Sequence, residues 1–143
     1  MKKILVINGP NLNMLGIREP EIYGSRTYQD LVEFIESEAK SAGLEIECFQ
    51  SNCEGAIIDK IQLTHGNFDA IIINPAAYTH TSIAIPDAIK AVGIPAIEVH
   101  LSDISKRESF RQISYTSDAC VKTIAGKGFD SYAEAIKYFS FDT

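Results

Sequence analysis

The chain has 143 residues, of which 45% are hydrophobic and 22% are charged, a composition typical of one soluble globular domain spanning residues 1–143. Its 13 basic and 19 acidic residues give a net charge of −6, which argues against nucleic acid and anionic membranes as partners. No apolar stretch has the length of a signal peptide's core or a membrane span. Three cysteines without a CxxC pair predict free thiols in a reducing cytoplasm, and neither a disulfide framework nor a zinc site.

Short apolar segments rich in β-branched residues alternate with segments of helical periodicity. The predicted strands are residues 4–7, 44–49, 70–73, 96–99 and 121–125. The predicted helices are residues 27–42, 54–65, 82–92 and 131–139, with a shorter charged helix over 105–112. Thr27 and Asp30 resemble a capping box at the start of the first helix, and Gly43 is typical of its end.

This alternation predicts an α/β fold with a five-stranded parallel sheet between helices on both faces. The flavodoxin-like three-layer sandwich, with strand order 2-1-3-4-5, is the favoured version for a chain of this length. Ligands in such folds bind at the carboxyl ends of the strands, near the point where the strand order reverses. The predicted strand ends at residues 8–11, 50–52, 74–76 and 100–102 are rich in amide or imidazole groups, so the sequence predicts a site there.

The fourth strand carries Glu98 and His100 two positions apart, which places both side chains on one face of the sheet. A covered face is normally apolar, and a buried carboxylate without a partner is costly. A Glu–His pair resolves the conflict, because the carboxylate holds the imidazole and favours its protonated form. A structural ion pair at a strand end is the alternative interpretation.

Other polar residues near the predicted strand ends have both a functional and an ordinary interpretation. The Asn-rich turn after the first strand, including Asn11, is not a GxGxxG or P-loop motif; it is either a simple turn or a set of amides aimed at a ligand. Arg18, Tyr23 and Arg26 lie in or beside a Gly- and Pro-containing segment typical of a solvated loop or of a lid over a site. His80 precedes a helix and could meet a ligand there.

The remaining candidates are two arginines, for which a solvated helix face is the default, and three histidines. Arg107 and Arg111 lie four positions apart, on one face of the short predicted helix. The histidines lack the spacing of a metal site, so no metal ligand is predicted.

Several of these stretches together resemble the type II 3-dehydroquinate dehydratases, in order and over nearly the whole chain. The resemblance lies in residues 9–16 (GPNLNMLG), 18–20 (REP), 23–24 (YG), 50–52 (QSN), 73–82 (INPAAYTHTS), 98–102 (EVHLS) and 107–111 (RESFR). It implies a flavodoxin-like subunit in a homododecamer built as a tetramer of trimers. It also implies a cytoplasmic lyase that catalyses the reversible anti dehydration of 3-dehydroquinate to 3-dehydroshikimate through an enolate, without cofactor or metal. This step belongs to the shikimate pathway of aromatic amino-acid biosynthesis and is also used in quinate breakdown.

The resemblance also implies a role for each matching position. Tyr23 resembles the base that removes the C2 proton, beside Arg18, and His100, held by Glu98, resembles the acid that protonates the leaving C1 hydroxyl. Asn11 resembles the residue that positions a water for the enolate. Further substrate contacts are implied for Asn74, His80 and Arg111, the backbone amides of Leu101 and Ser102, Asp87 from across a subunit boundary, and Arg107 near the base.

The chain departs from the family pattern at four positions that have no implied catalytic role: Cys53, Asp103, Ser105 and Ser109. Asp103 is the one with an expected consequence, because a carboxylate there could pair with an arginine and draw it away from the site. The negative net charge also conflicts with an anionic substrate, so a locally positive cleft mouth is expected. The rival interpretations are a flavodoxin-like module that binds a nucleotide or other small molecule without catalysis, and a catalytically silent assembly protein.

Overall fold

Five strands form one all-parallel sheet in the order β2-β1-β3-β4-β5. The computed structural model describes residues 1–17, 21 and 25–141. The strands are Lys3–Asn8 (β1), Glu45–Gln50 (β2), Ala70–Asn74 (β3), Ala96–His100 (β4) and Lys122–Ala125 (β5). The predicted parallel sheet, its flavodoxin-like order and all five predicted strands are confirmed.

Four helices of eight or more residues occur in the described ranges, two on each face of the sheet. They are Tyr28–Ser41 (α1), Glu54–Gln62 (α2), Ala84–Val92 (α3) and Asp130–Phe141 (α4). The predicted capping box is present, since the Thr27 side chain accepts from the Asp30 amide and the Asp30 carboxylate accepts from the Thr27 amide. None of the helices in the described part of the chain is long and apolar enough to cross a membrane.

The alternation of side chains along β1 and β3 produces two separate cores. Ile4, Val6 and Ile72 face α1 and α4, whereas Leu5 and Ile71 face α2 and α3. Both faces are fully buried, which explains why these strands are continuously apolar. All three cysteines are free; burial raises the pKa of the Cys48 and Cys120 thiols to about 12, while Cys53 is exposed.

The predicted charged helix over residues 105–112 is wrong. The segment forms two short 3-10 turns, Ile104–Lys106 and Ser109–Arg111. Between them Arg107 takes an extended backbone conformation, with φ −91° and ψ −176°, and its carbonyl accepts from the Gln112 side chain at 2.8 Å. The segment lacks an apolar face that would reward a continuous helix, and Phe110 is 62% exposed.

Candidate active site

A cleft lies at the carboxyl edge of the sheet, where β1, β3 and β4 end in Asn8, Asn74 and His100. The described residues that line it come from the turn after β1, the end of β3 and the segment after β4. They are Pro10, Asn11, Leu12, Met14, Leu15, Asn74, Ala76, Ala77, His80, His100, Leu101, Ser102, Ile104, Arg107 and Arg111. The predicted location of the site is therefore the location of a cleft.

At the end of β4, the His100 Nε2 atom makes a very short hydrogen bond with the Glu98 carboxylate. Glu98 is completely buried, and His100 is 5% exposed. Since Nε2 is engaged with the carboxylate, Nδ1 is the ring nitrogen left for other partners. The pairing that alternation along β4 predicted is confirmed.

Two hydroxyl groups support the buried Glu98 carboxylate. The Ser114 hydroxyl lies 2.9 Å from both carboxylate oxygens, and the Thr123 hydroxyl of β5 lies 3.5 Å from one of them. The Ser117 amide donates to the Ser114 oxygen at 3.1 Å, so the Ser114 proton points to Glu98. These two hydroxyls are donors that hold the Glu98 side chain in place, and the sequence did not predict either of them.

His80 and Arg111 reach the cleft from the other side. The His80 Nδ1 atom lies 2.7 Å from the Ile113 carbonyl, so Nδ1 carries the proton and Nε2 is the second polar atom of the ring. The Arg111 Nε atom lies 2.8 Å from a Glu108 carboxylate oxygen, and its guanidinium lies over the Phe110 ring at 5.0 Å. The contact with the Ile113 carbonyl orients the His80 ring, whereas the Arg111–Glu108 contact is an ion pair without hydrogen-bond geometry.

The turn after β1 is held by amide groups from the end of β2. The Asn11 backbone N–H donates to the Asn52 side-chain oxygen at 3.0 Å, and the Gln50 side chain donates to the Gly9 carbonyl at 3.1 Å. Asn11 itself has a left-handed backbone with φ 70°, a conformation that asparagine tolerates better than most residues. The Asn-rich turn is thus a rigid wall of the cleft.

The structure brings most of the predicted residues together. Asn11, Asn74, His80, His100, Leu101, Ser102, Arg107 and Arg111 line the cleft, and Glu98 lies beneath it. Asp87 does not line it; this residue is exposed on α3. Arg18 and Tyr23 lie outside the described residues.

The locally positive cleft mouth expected from the sequence stays a prediction, and the side chains of the described lining are the observation that bears on it. Four basic side chains line the cleft, and none of its described lining residues is acidic. The expected pairing of Asp103 with an arginine is not found among the described residues. Instead its carboxylate accepts from the Ser105 amide at 3.0 Å and the Ser105 hydroxyl at 2.6 Å. Two of the departures from the family pattern are therefore partners of each other.

The cleft at the strand ends and the buried Glu98–His100 pair are the features of an α/β enzyme that acts on a small molecule. Among the described residues, no group of three His, Cys, Asp or Glu side chains is arranged to hold a metal ion. The chain belongs to the family described as Dehydroquinase class II, whose sequence pattern matches residues 2–140.

Individual relatives agree with this assignment. The chain is 59% identical to the 3-dehydroquinate dehydratase of Geotalea daltonii, over 91% of the chain and 90% of the relative. It is 54% identical to "Catabolic 3-dehydroquinase 1" of Fusarium vanettenii, over 94% of both. The crystal structure of the type II dehydroquinase from Butyrivibrio crossotus superimposes with a TM-score of 0.94 and 55% identity, covering 96% of each chain. The rival of a non-catalytic binding module is not favoured.

Proposed function

We propose that the cleft binds 3-dehydroquinate and catalyses its reversible anti dehydration to 3-dehydroshikimate, the hydro-lyase reaction of the shikimate pathway. The observation that carries this proposal is the buried Glu98–His100 pair, which meets Asn74, His80 and Arg111 at one cleft. Family membership over residues 2–140 supports the same reaction. We infer that it proceeds without a metal, an organic cofactor or a lysine Schiff base.

The first step is removal of the C2 proton next to the ketone, and we assign the base to Tyr23. A free tyrosine ionises at about pH 10, so a tyrosine base needs nearby cations to act at neutral pH. We assign Arg18 and Arg107 to this task. The described Arg107 guanidinium lies 3.4 Å from the Ser102 hydroxyl, on the cleft wall. The electron pair of the broken C–H bond moves into the enolate.

The second step is loss of the C1 hydroxyl, and we assign the acid to His100. Hydroxide is a poor leaving group, so a proton must be transferred as the C–O bond breaks, releasing water. Since Nε2 donates to Glu98, the proton transferred is the one on Nδ1 of the imidazolium. The Glu98 carboxylate supplies the counter-charge for that imidazolium, and the Ser114 hydroxyl keeps the carboxylate in place.

The remaining groups bind the anionic substrate and its enolate. We assign a water held by Asn11 to the enolate oxygen, where donors act most strongly once charge has developed. The carboxylate of the substrate is assigned to the backbone amides of Leu101 and Ser102. Asn74, His80 and Arg111 complete the binding site from the other walls.

We infer that the working enzyme is a cytoplasmic homododecamer, a tetramer of trimers, in which Asp87 reaches the site of a neighbouring subunit. Asp87 is exposed on α3, one turn after Ile83, whose side chain is 55% exposed. Phe110 and Ile113, in the segment after β4, are also more than half exposed. Exposed apolar side chains favour a subunit contact. Light scattering is expected to give twelve times the chain mass of 15.7 kDa.

The function is tested by the ultraviolet absorbance of the conjugated enone product, formed from 3-dehydroquinate. The wild type is expected to turn over, and Tyr23→Phe and His100→Ala are each expected to lose about 10²–10⁴-fold in kcat, the usual contribution of a general acid or base. Tyr138→Phe and His65→Ala are matched controls, because both residues are exposed outside the cleft lining. A folded wild type without turnover, or with a visible flavin band, would overturn the proposal.

A further inference from the structure

A buried hydrogen-bonded chain runs beneath the cleft from the last helix to Asn74. The Tyr132 side chain of α4 is completely buried, and its hydroxyl donates to the Asn8 side-chain oxygen at 2.6 Å. The same hydroxyl oxygen accepts from the Asn74 Nδ2 atom at 3.0 Å. Asn8 is completely buried and Asn74 is 3% exposed, so both amides depend on protein partners.

The number of protons available determines which group donates in each of these hydrogen bonds. A tyrosine hydroxyl has one proton, and the Asn8 side-chain oxygen can only accept, so the Tyr132 proton belongs to that contact. The Tyr132 oxygen is then an acceptor toward Asn74, which must present its NH₂ group to it. The Asn74 oxygen faces the Ala76 backbone N–H, which donates to it at 3.1 Å, so the Ala76 and Tyr132 contacts favour the same orientation of the Asn74 amide.

The orientation of the Asn74 amide matters for the cleft that it lines. After its two protein contacts, the amide retains one N–H and one oxygen lone pair for other partners. A flipped amide would exchange the positions of donor and acceptor at the cleft floor. For a ligand with several hydroxyl groups around a ring, such an exchange turns favourable contacts into contacts between like groups.

We propose that Tyr132 is a positioning residue that, together with Asn8, fixes the amide orientation with which Asn74 recognises the hydroxyl-bearing ring of the substrate. This inference rests on the proposed function for its substrate. The tyrosine ring belongs to the core packed between the sheet and α4. The hydroxyl, in contrast, orients the Asn74 amide. A phenylalanine at this position keeps the packing of the ring and removes only the hydroxyl.

The test is Tyr132→Phe, which keeps the ring and removes the hydroxyl. We expect KM for 3-dehydroquinate to rise about tenfold with kcat within about threefold, because a binding contact equal in ground and transition states is lost. Tyr28→Phe is the matched control. Its hydroxyl contacts the other atom of the Asn8 amide, at 3.5 Å, and its removal is expected to leave KM within about twofold, since Asn74 keeps its partner.

A second variant tests the orientation of the Asn74 amide by changing Asn8, a residue that does not line the cleft. Asn8→Leu removes the acceptor for the Tyr132 proton, which is then free to turn toward Asn74. We expect the same rise in KM as for Tyr132→Phe. The double variant is expected to add little to either single variant, because both interrupt one chain.

A readout without turnover keeps this inference separate from the proposed function. In ¹⁵N-labelled protein, the Asn74 side-chain NH₂ is expected to be protected from solvent exchange in the wild type and in Tyr28→Phe, and to lose protection in Tyr132→Phe. Unchanged protection, or a loss of thermal stability without a change in KM, would overturn the positioning role. A wild type that protects this NH₂ but does not convert 3-dehydroquinate would overturn the proposed function and leave the positioning role supported.

Discussion

The two walls of the cleft are built in different ways. The first wall, residues 9–13, is held by contacts from distant parts of the chain: the Gln50 and Asn52 side chains, and the backbone of Pro75 packed against Gly9. The second wall, residues 101–112, consists largely of short turns held by near neighbours. Asp103 bonds to Ser105, Arg111 pairs with Glu108, and Gln112 bonds to the Arg107 carbonyl.

This difference indicates that the position of the first wall depends on the sheet, whereas the conformation of the second wall depends on its own local sequence. Long-range contacts tie the first wall to the sheet, so a change there displaces groups that the sheet positions. Residues that make only local contacts in the second wall can be substituted without disturbing the sheet. Three of the four departures from the family pattern, Asp103, Ser105 and Ser109, lie in the second wall. The following variants test this contrast.

Gly9→Ala is expected to have the largest effect on the first wall. A Cβ atom at this position would lie 2.5 Å from the Pro75 carbonyl oxygen, so the turn must move. A displacement of about 1 Å at a catalytic site can cost about a hundredfold in kcat/KM, and this is the loss expected. Gly55→Ala is the control, since a Cβ there meets nothing within 4 Å. Equal activity of both variants would contradict a rigid first wall.

Ser114→Ala, two residues beyond the second wall, is expected to have the next largest effect. Its hydroxyl reaches the buried Glu98 carboxylate, at 2.9 Å from both oxygens. A hydrogen bond to a charged group contributes about 1.5–3 kcal/mol, so kcat is expected to fall about tenfold or more. Ser117→Ala removes a hydroxyl from the same turn without touching Glu98 and is expected to retain activity. Steady-state kinetics of the two variants distinguishes these outcomes.

Asp103→Asn is expected to change turnover by less than about threefold, because substitutions in surface loops are usually mild. The asparagine oxygen can still accept from the Ser105 amide and hydroxyl, which preserves the local turn. The measurement is kcat and KM with 3-dehydroquinate. A tenfold gain in turnover would instead mean that the carboxylate restrains the site, and the second wall would no longer be merely local.

Ser105→Ala is expected to have the smallest effect, a change in the pKa of the Asp103 carboxyl. The hydrogen bonds from Ser105 hold the pKa of the Asp103 carboxyl below its usual value. Their stabilising contribution is therefore present at neutral pH and is lost as the pH falls through this lowered pKa. In the variant the Asp103 pKa is expected to rise toward the ordinary value, as measured by carboxyl NMR. Asp118, whose pKa is lowered by Lys90, is the internal reference and is expected not to move.

The sequence predicted the sheet, the main helices and the Glu98–His100 pair because each depends on local periodicity. Alternation along β4 is enough to place Glu98 and His100 on one face. Ser114 was not found, because its contact with Glu98 depends on the path of the segment between β4 and β5. Tyr132 was not found either, since a tyrosine in an amphipathic helix resembles an ordinary core residue. The prediction of a helix over 105–112 was wrong because side-chain hydrogen bonds of Asp103 and Gln112 to the backbone compete with the helical hydrogen bonds.

The hydrogen bond between Asn8 and Tyr132 joins residues 124 positions apart. During synthesis the first strand therefore leaves the ribosome long before the partner that satisfies its buried amide. Until α4 emerges, Asn8 and Asn74 lack their common hydroxyl, and the nascent chain has no complete cleft floor. Such distant contacts slow folding, since the chain must close a long loop before they form. The complete cleft floor is thus formed only after α4 has been made.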